Sequence, residues 1–362
     1  MRGGSAPSRA RHGGAPPGGA SALQALLRAW PDAPARAAPE GVEADGLVRA
    51  AVRHGLVGFV EHAVARAGWA LPEAARTSLR REALGGAARA LRVKALLLRS
   101  LDALAPVGQV PVLLKGYGLA LRLYPDPLQR ATTDVDLLVA RADVGAAVQA
   151  LAPVGLVARP EAGSRHGEED AHHLELAGPA GLVELHYRAL AGWGEALEGD
   201  ALLARAEAGT VDGRAVRWLR PEDEAVYLAL HASHHALQRL AWLFDLKLLA
   251  RSGARLDWRT VVERARGTGF PHAAWCAWDA AWRLLDAPVP EEVLAALAPP
   301  RWRQALARRF FSDERLLGAS LLDSRPGWMA AKVLLAPRMG SLARYGGRRL
   351  RSALRARLRG SG

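Results

Sequence analysis

Apolar residues recur at intervals of three and four from residue 22 to about 104, in LQALLRAW, LVRAAVRHGLVGFVEHAVARA and LRREALGGAARALRVKALLLRSLDAL. That period predicts amphipathic helices, and Pro72 suits a helix first turn. The texture changes at Val107. GQVPVLL is a short β-rich run, Lys115-Gly116 follows it, and YGLALRLY is helical again. Pro125-Asp126-Pro127 predicts a loop, and TTDVDLLVA an alternating strand with Asp134 and Asp136 on one face. DVGAAVQAL predicts a helix, 154–158 a strand and 163–170 a charged loop. HHLELA and GLVELHYRAL predict two strands around the hairpin signal Gly178-Pro179-Ala180-Gly181. From Pro221 the helical period returns. EDEAVYLALHASHHALQRLAWLFDLKLLARS predicts one helix of roughly 30 residues, and 258–266 and 272–285 predict two more. Asp257 precedes the first of these as a candidate N-cap.

The chain thus divides into a Gly/Pro/Ser/Arg-rich tail at 1–20 that is expected to be disordered, a helical region at 21–104, an α/β core at 105–215, a helical region at 216–323 and a basic tail at 324–362. The expected fold class is α+β: a small mixed β-sheet core flanked by helical regions.

Half of the 362 residues are apolar and 23% are charged, so a sizeable core can be buried and global disorder is excluded. No run approaches the ~18 apolar residues of a membrane span. The longest, 328–336, contains Lys332. The first residues lack an apolar stretch, which predicts no secretory signal. Cys276 is the sole cysteine, which excludes an internal disulfide framework and a cysteine-based zinc site and fits a reducing cytoplasm. The net charge of +13 is carried wholly by the ends: three Arg without an acid in 1–20, and ten bases without an acid in 324–362. The stretch between is formally neutral, so the body is no polyanion-binding surface. Attraction to RNA or an anionic membrane surface is confined to the tails.

Asp134 and Asp136 stand at i and i+2 of a strand flanked by Val135, Leu137, Leu138 and Val139. Two carboxylates that close disfavour each other's ionisation unless a positive charge lies between them. A hard divalent cation is the natural partner, and Mg²⁺ suits carboxylates plus substrate phosphates. Glu184, in Val183-Glu184-Leu185-His186, lies on a second apolar strand. Three acids on neighbouring strands can hold two metal ions that clamp the attacking and leaving oxygens of an in-line displacement. Lys115-Gly116 ends a strand and opens a helix, a turn that presents N–H groups to phosphates, and Arg130, four residues before Asp134, can reach a phosphate oxygen or pair with Asp126 or Asp134. A lone Asp-x-Asp is common on solvated strands. The ordered set of Lys115, Arg130, Asp134, Asp136 and Glu184 is what favours a metal-dependent phosphate site.

The order strand–Lys-Gly–helix, then Arg-x-x-x-Asp-x-Asp-Leu-Leu-Val, then Val-Glu-Leu-His-Tyr-Arg resembles the DNA polymerase β-type nucleotidyltransferase superfamily. It is most similar to a bacterial group described mainly from sequence, which the run His231-Ala-Ser-His-His235 followed by Leu240-Ala-Trp-Leu-Phe-Asp245 also resembles. The resemblance implies a nucleotidyltransferase core, an NTP substrate, two Mg²⁺ ions held by Asp134, Asp136 and Glu184, a hydroxyl-bearing acceptor, and Glu184 as base for that hydroxyl. Lys115, Gly116 and Arg130 would bind the phosphates. One position departs from the superfamily: no Ser follows Gly116, where Tyr117-Gly118 stands instead. An RNA-directed transferase and a nucleotide-binding protein without turnover are the alternative readings.

His231, His234, Gln238, Trp242 and Asp245 fall at spacings of three and four. On one helix they would form a polar-aromatic stripe, either closing over the nucleotide or packing on the α/β core. His231, His235 and Asp245, and separately His172-His173, have zinc-ligand chemistry. His186, two residues after Glu184, shares its face and can orient a metal ligand or serve as a hydrogen-bonded structural histidine.

Overall fold

Strand β1 (Val112–Leu113) is only two residues long, yet it is an interior strand of the sheet that positions everything below. The structure, a computed structural model, describes residues 18–31, 42–159, 172–192, 195–252, 256–318 and 324–336. Most of the expected N-terminal tail, the charged loop at 163–170 and the end of the basic tail beyond 336 lie outside them. Strands β2 (Val135–Leu138), β3 (Val157–Ala158), β4 (His173–Gly178), β5 (Gly181–His186), β6 (Arg188–Gly192), β7 (Glu195–Glu198), β8 (Glu207–Val211) and β9 (Arg214–Trp218) complete the set. Seven of them form one mixed sheet in the order β3-β4-β5-β2-β1-β9-β8, while β6 and β7 pair separately. β2 runs parallel to β5 and β1 parallel to β9; the other neighbours are antiparallel. The expected mixed sheet between helical regions is therefore present. The run GLVELHYRAL is not one strand: it leaves the main sheet after His186 and re-pairs as β6.

Helices α1 (Gly18–Ala29), α2 (Ala44–Arg53), α3 (Val57–Ala67) and α4 (Glu73–Leu104) precede the sheet. Gly18–Ala20, read from sequence as tail, already belong to α1, with Gly19 and Ala20 buried. Pro72 caps α4 from outside rather than occupying its first turn. Within the sheet region lie α5 (Gly116–Leu123), α6 (Val144–Leu151) and α7 (Gly199–Arg205). After it come α8 (Pro221–His234), α9 (Leu240–Arg251), α10 (Trp258–Gly267), α11 (Pro271–Leu285), α12 (Glu291–Leu297), α13 (Arg301–Phe310), α14 (Asp313–Leu317) and α15 (Arg325–Leu335). Asp257 caps α10 as expected, accepting from the Arg259 and Thr260 amides. The first part of the basic tail is likewise not free: α15 buries Ala331, Leu334 and Leu335.

The single long helix expected at 222–252 is two helices. Ala236 and Leu237 both adopt the left-handed conformation, with φ of 54° and 56°. The Leu237 amide returns to the Ala232 carbonyl at 2.9 Å and the Ala236 amide to Ser233 at 2.9 Å, closing the end of α8. Non-glycine residues adopt this conformation at a cost of roughly 1–2 kcal/mol each. Here the complete burial of both side chains offsets it.

Strand alternation divides the core in two. Leu113, Val135, Leu137, Val139, Val183 and Leu185 face α4 and α6 in one cluster. Val112, Leu114 and Leu138 face the other way, into a larger cluster shared with the C-terminal helices. That larger cluster also takes in α1–α3, so the two helical regions, distant in sequence, share a core. Lys247 seals the seam by donating to the Leu27 and Arg28 carbonyls at 2.6 and 2.8 Å.

Candidate active site

On parallel neighbours β2 and β5 the register sets Asp136 opposite Glu184. With a period of two, both point away from Val135, Leu137, Val183 and Leu185, to the face on which Leu138 meets the helical core. Asp134, one residue before β2, lies on the same side. Lys115 leaves β1 at the adjacent position, where the Leu114 amide donates to the Asp136 carbonyl at 3.3 Å.

The four side chains converge. The Lys115 ammonium lies 2.6 Å from Asp136 Oδ1, 3.7 Å from Glu184 Oε2 and 3.9 Å from Asp134 Oδ2. His186, on the face of Glu184, brings Nε2 to 3.2 Å from Asp136 Oδ1 and 3.3 Å from Glu184 Oε2. Because both neighbours are carboxylates, Nε2 carries the proton and donates. The Asp136 carboxylate is fully buried, and its second oxygen, Oδ2, has no hydrogen-bond partner.

Burial opposes every charge here, and the pairing decides the outcome. It works against the Lys115 ammonium, but Asp136, Asp134 and Glu184 together hold that ammonium charged well above the lysine range. Burial likewise pushes Asp136 up, and Lys115 and His186 more than reverse it, leaving the carboxyl below its ordinary range. Glu184 follows the same pattern and is held far below the glutamate range by the His186 hydrogen bond and Lys115. Asp134 is the exception: burial and the neighbouring Asp136 raise it. His186 would be lowered by burial, but its hydrogen bonds to Asp136 and Glu184 raise it.

Gly116 opens α5 with φ of 65°, the left-handed region that glycine adopts without strain. A Cβ there would stand 3.1 Å from Thr132 Oγ1 and 3.7 Å from Asp136 Oδ2. The missing side chain therefore keeps open the approach to the orphaned carboxylate oxygen. A depression lined by Lys115, Tyr117, Asp134 and Asp136 opens beside it.

These observations meet the requirements of a hard cation. Asp136 offers an unused buried oxygen, Glu184 a second carboxylate, and Asp136, Glu184 and His186 bring ligand atoms within 4.8 Å of one another. Asp134 adds a third carboxylate at the rim. In the structure Lys115 supplies the positive charge that these acids need.

The remaining sequence candidates go elsewhere. Arg130 donates from Nε to Asp245 Oδ1 at 3.0 Å and from Nη2 to Oδ2 at 2.8 Å, a buried two-pronged pair. The Tyr124 hydroxyl donates to the same Oδ1 at 2.8 Å. Among the described residues no ion pair joins Arg130 to Asp126 or Asp134. Asp245 thus ties α9 to the loop before β2 rather than sharing a stripe with His231, because the break at 235–239 separates their helices. His231, His235 and Trp242 form an aromatic cluster at that break, with ring centroids 4.7 to 5.5 Å apart. His234 touches the acids' neighbourhood through His172, 6.2 Å away by ring centroid. His231, His235 and Asp245 do not come together as metal ligands. His172, His173 and His186 do, with ligand nitrogens within 4.8 Å.

Two residues that sequence reading passed over stand close to the centre. Tyr227 is fully buried, with an unpartnered hydroxyl raised first by burial, then eased by Lys115 and raised again by Asp136, Glu184 and Asp134. Its signal was its place one turn before His231 on α8. Thr132 Oγ1 donates to the Asp134 carbonyl at 3.4 Å and shapes the Gly116 turn.

Residues 40–286 match the model of a family described as uncharacterised nucleotidyltransferases. No curated protein matches the sequence. Among solved structures, the solution structure of the antibiotic-resistance factor ANT(2'')-Ia aligns with 60% of this chain and 92% of its own, at 15% identity and a TM-score of 0.31. At that score the likeness carries no weight for the chemistry.

Proposed function

The chain belongs to this nucleotidyltransferase family, and from that premise we propose that it transfers a nucleoside monophosphate from an NTP to a hydroxyl acceptor, releasing pyrophosphate. One observation carries the reading: Asp134, Asp136 and Glu184 converge from two strands and a strand entry onto a single cationic point. Asp134, Asp136 and Glu184 would hold Mg²⁺, which when bound supplies charge neutralisation to the triphosphate.

The chain's own groups account for the rest. Lys115 is a point charge on a flexible stem, so it can exchange its carboxylates for phosphate oxygens when the triphosphate arrives. That movement frees the acids as ligands. Gly116 lets the phosphates approach the first turn of α5, whose amide groups and dipole favour anions. With Lys115 withdrawn to the phosphates, one of the charges that hold the Glu184 carboxyl low is gone, and Glu184 accepts the proton of the acceptor hydroxyl as its oxygen attacks the α-phosphorus and the bond to pyrophosphate breaks. His186 holds Asp136 and Glu184 in place through the hydrogen on Nε2. The formally neutral body between the tails favours a small molecule or a protein over a nucleic acid as acceptor.

A nucleotide-binding role without turnover is favoured by the absence of a serine after Gly116 and by Lys115 already seated among the acids. The deciding experiment incubates the pure protein with Mg²⁺ and each labelled NTP, using cell extract as acceptor source, and follows pyrophosphate and labelled product. Transfer that Asp136→Asn abolishes without unfolding supports the enzyme. Labelling absent from the wild type with every NTP, despite retained nucleotide binding, leaves the binding role.

A further inference from the structure

From the same register that pairs Asp136 with Glu184, we infer that His172, His173 and His186 form a second, nitrogen-donor metal site that takes a transition-metal ion of the zinc class, distinct from the carboxylate site. His173 on β4 stands directly opposite His186 on β5, and His172 immediately precedes β4. Ring centroids are 4.4 Å apart for His172 and His173, 5.0 Å for His173 and His186, and 5.6 Å for His172 and His186. Each residue can offer one nitrogen so that all three lie within 4.8 Å. A tetrahedral Zn²⁺ with bonds of ~2.0–2.1 Å sets its ligands about 3.4 Å apart, so rotamer adjustment closes the triad.

His186 is 2% exposed and spends its Nε2 hydrogen on Asp136 and Glu184. That fixes Nδ1 as the nitrogen facing away from the acids, and Nδ1 is buried without a partner. The Nδ1 of His173 is also buried and unpartnered. Two buried polar atoms left unsatisfied on rings whose centroids are 5.0 Å apart need an explanation, and an imidazole whose other nitrogen donates to a carboxylate is the usual arrangement of a metal-bound histidine. Three imidazoles select Zn²⁺, Co²⁺ or Ni²⁺ over Mg²⁺, which prefers oxygen. The carboxylates then serve two sites: as oxygen ligands on one side and as orienting partners of His186 on the other. The three imidazoles leave the fourth position of a tetrahedral ion for an external ligand.

His186 links this site to the carboxylates, so its test reads metal uptake and uses no turnover. Full-length protein is stripped with a chelator, supplied with excess Mg²⁺ to occupy oxygen sites, and titrated with Zn²⁺ against a chromophoric competitor. A parallel titration with Co²⁺ is followed by visible absorption. One equivalent of Zn²⁺ per chain is expected, with the intense visible bands of four-coordinate, nitrogen-rich Co²⁺. His173→Ala and, separately, His172→Ala should each weaken Zn²⁺ about 100-fold or more, beyond the 10–100-fold that loss of an outer partner costs, with circular dichroism unchanged. Two results would overturn the assignment. One is a folded wild type that takes up no Zn²⁺. The other is uptake that neither His172→Ala nor His173→Ala alters, which would place the ion on Asp136, Glu184 and His186.

Discussion

Replacing Lys115 by Met removes the positive charge on which three acids converge and leaves a side chain of similar length. Lys115 is 14% exposed at its side chain and Asp136 not at all, and they meet at 2.6 Å. Breaking a buried pair by deleting one partner costs about 3–5 kcal/mol, because the remaining charge stays buried. Glu184 and Asp134, within 4 Å of the same ammonium, add to the repulsion. The expected loss at pH 7 in EDTA is therefore about 3–5 kcal/mol, which at ~1.3 °C per kcal/mol for a chain of 362 residues lowers the melting temperature by about 4–7 °C. The loss should shrink in two ways. Mg²⁺ at 100 times its dissociation constant returns about 2.7 kcal/mol to whichever form binds it, and the variant, with its acids unplugged, should bind it better. Acid should narrow the gap too. In the wild type, Asp136 and Glu184 lie below their unfolded values and contribute stability above about pH 4–4.5 that is lost as pH falls through the folded values. Without Lys115 those folded values rise, so protonation relieves the variant first. Adding Asp136→Asn to Lys115→Met should restore part of the stability, a coupling of about 2 kcal/mol or more. Thermal and urea unfolding with and without Mg²⁺ measures all of this. A variant as stable as the wild type in EDTA, or Mg²⁺ shifting both proteins equally, would refute the reasoning.

Gly116→Ala places a Cβ at a φ of 65° and 3.1 Å from Thr132 Oγ1. It should cost roughly 1–2 kcal/mol and weaken nucleotide binding more than stability, read by comparing calorimetric NTP affinity with melting temperature. Arg130→Met should destabilise by about 3–5 kcal/mol by orphaning Asp245, while the double variant with Asp245→Leu recovers much of it. Nucleotide affinity that instead drops before stability does would assign Arg130 to the phosphates. His272, whose Nε2 meets the Leu334 carbonyl at 3.0 Å, is pushed down to about 4 by burial and then by Arg303. A folded value below the unfolded one near 6.5 gives stability that is present above pH 6.5 and lost as pH falls towards 4, about 3 kcal/mol in all. Urea unfolding at pH 7.5 and 4.5 should show that slope reduced in His272→Gln, and an unchanged slope would remove His272 as its cause.

Local pattern alone determined the strand carrying Asp136 with Asp134 at its entry, the hairpin around Pro179-Ala180, the Lys-Gly turn and most helices, since periodicity and turn chemistry act within a few residues. The carboxylate trio was legible for the same reason: acids on apolar strands stand out against their neighbours. Register was not legible. Only the parallel pairing of β2 with β5 sets Glu184 beside Asp136, and only the antiparallel pairing of β4 with β5 brings His173 against His186. The break after α8 carried no glycine or proline signal, because burial of Ala236 and Leu237 supports a conformation that their local preference disfavours. Arg130 and Asp245, 115 residues apart, found each other for the same kind of reason. A buried charge takes whichever opposite charge the packing delivers, and sequence spacing has no say in that choice.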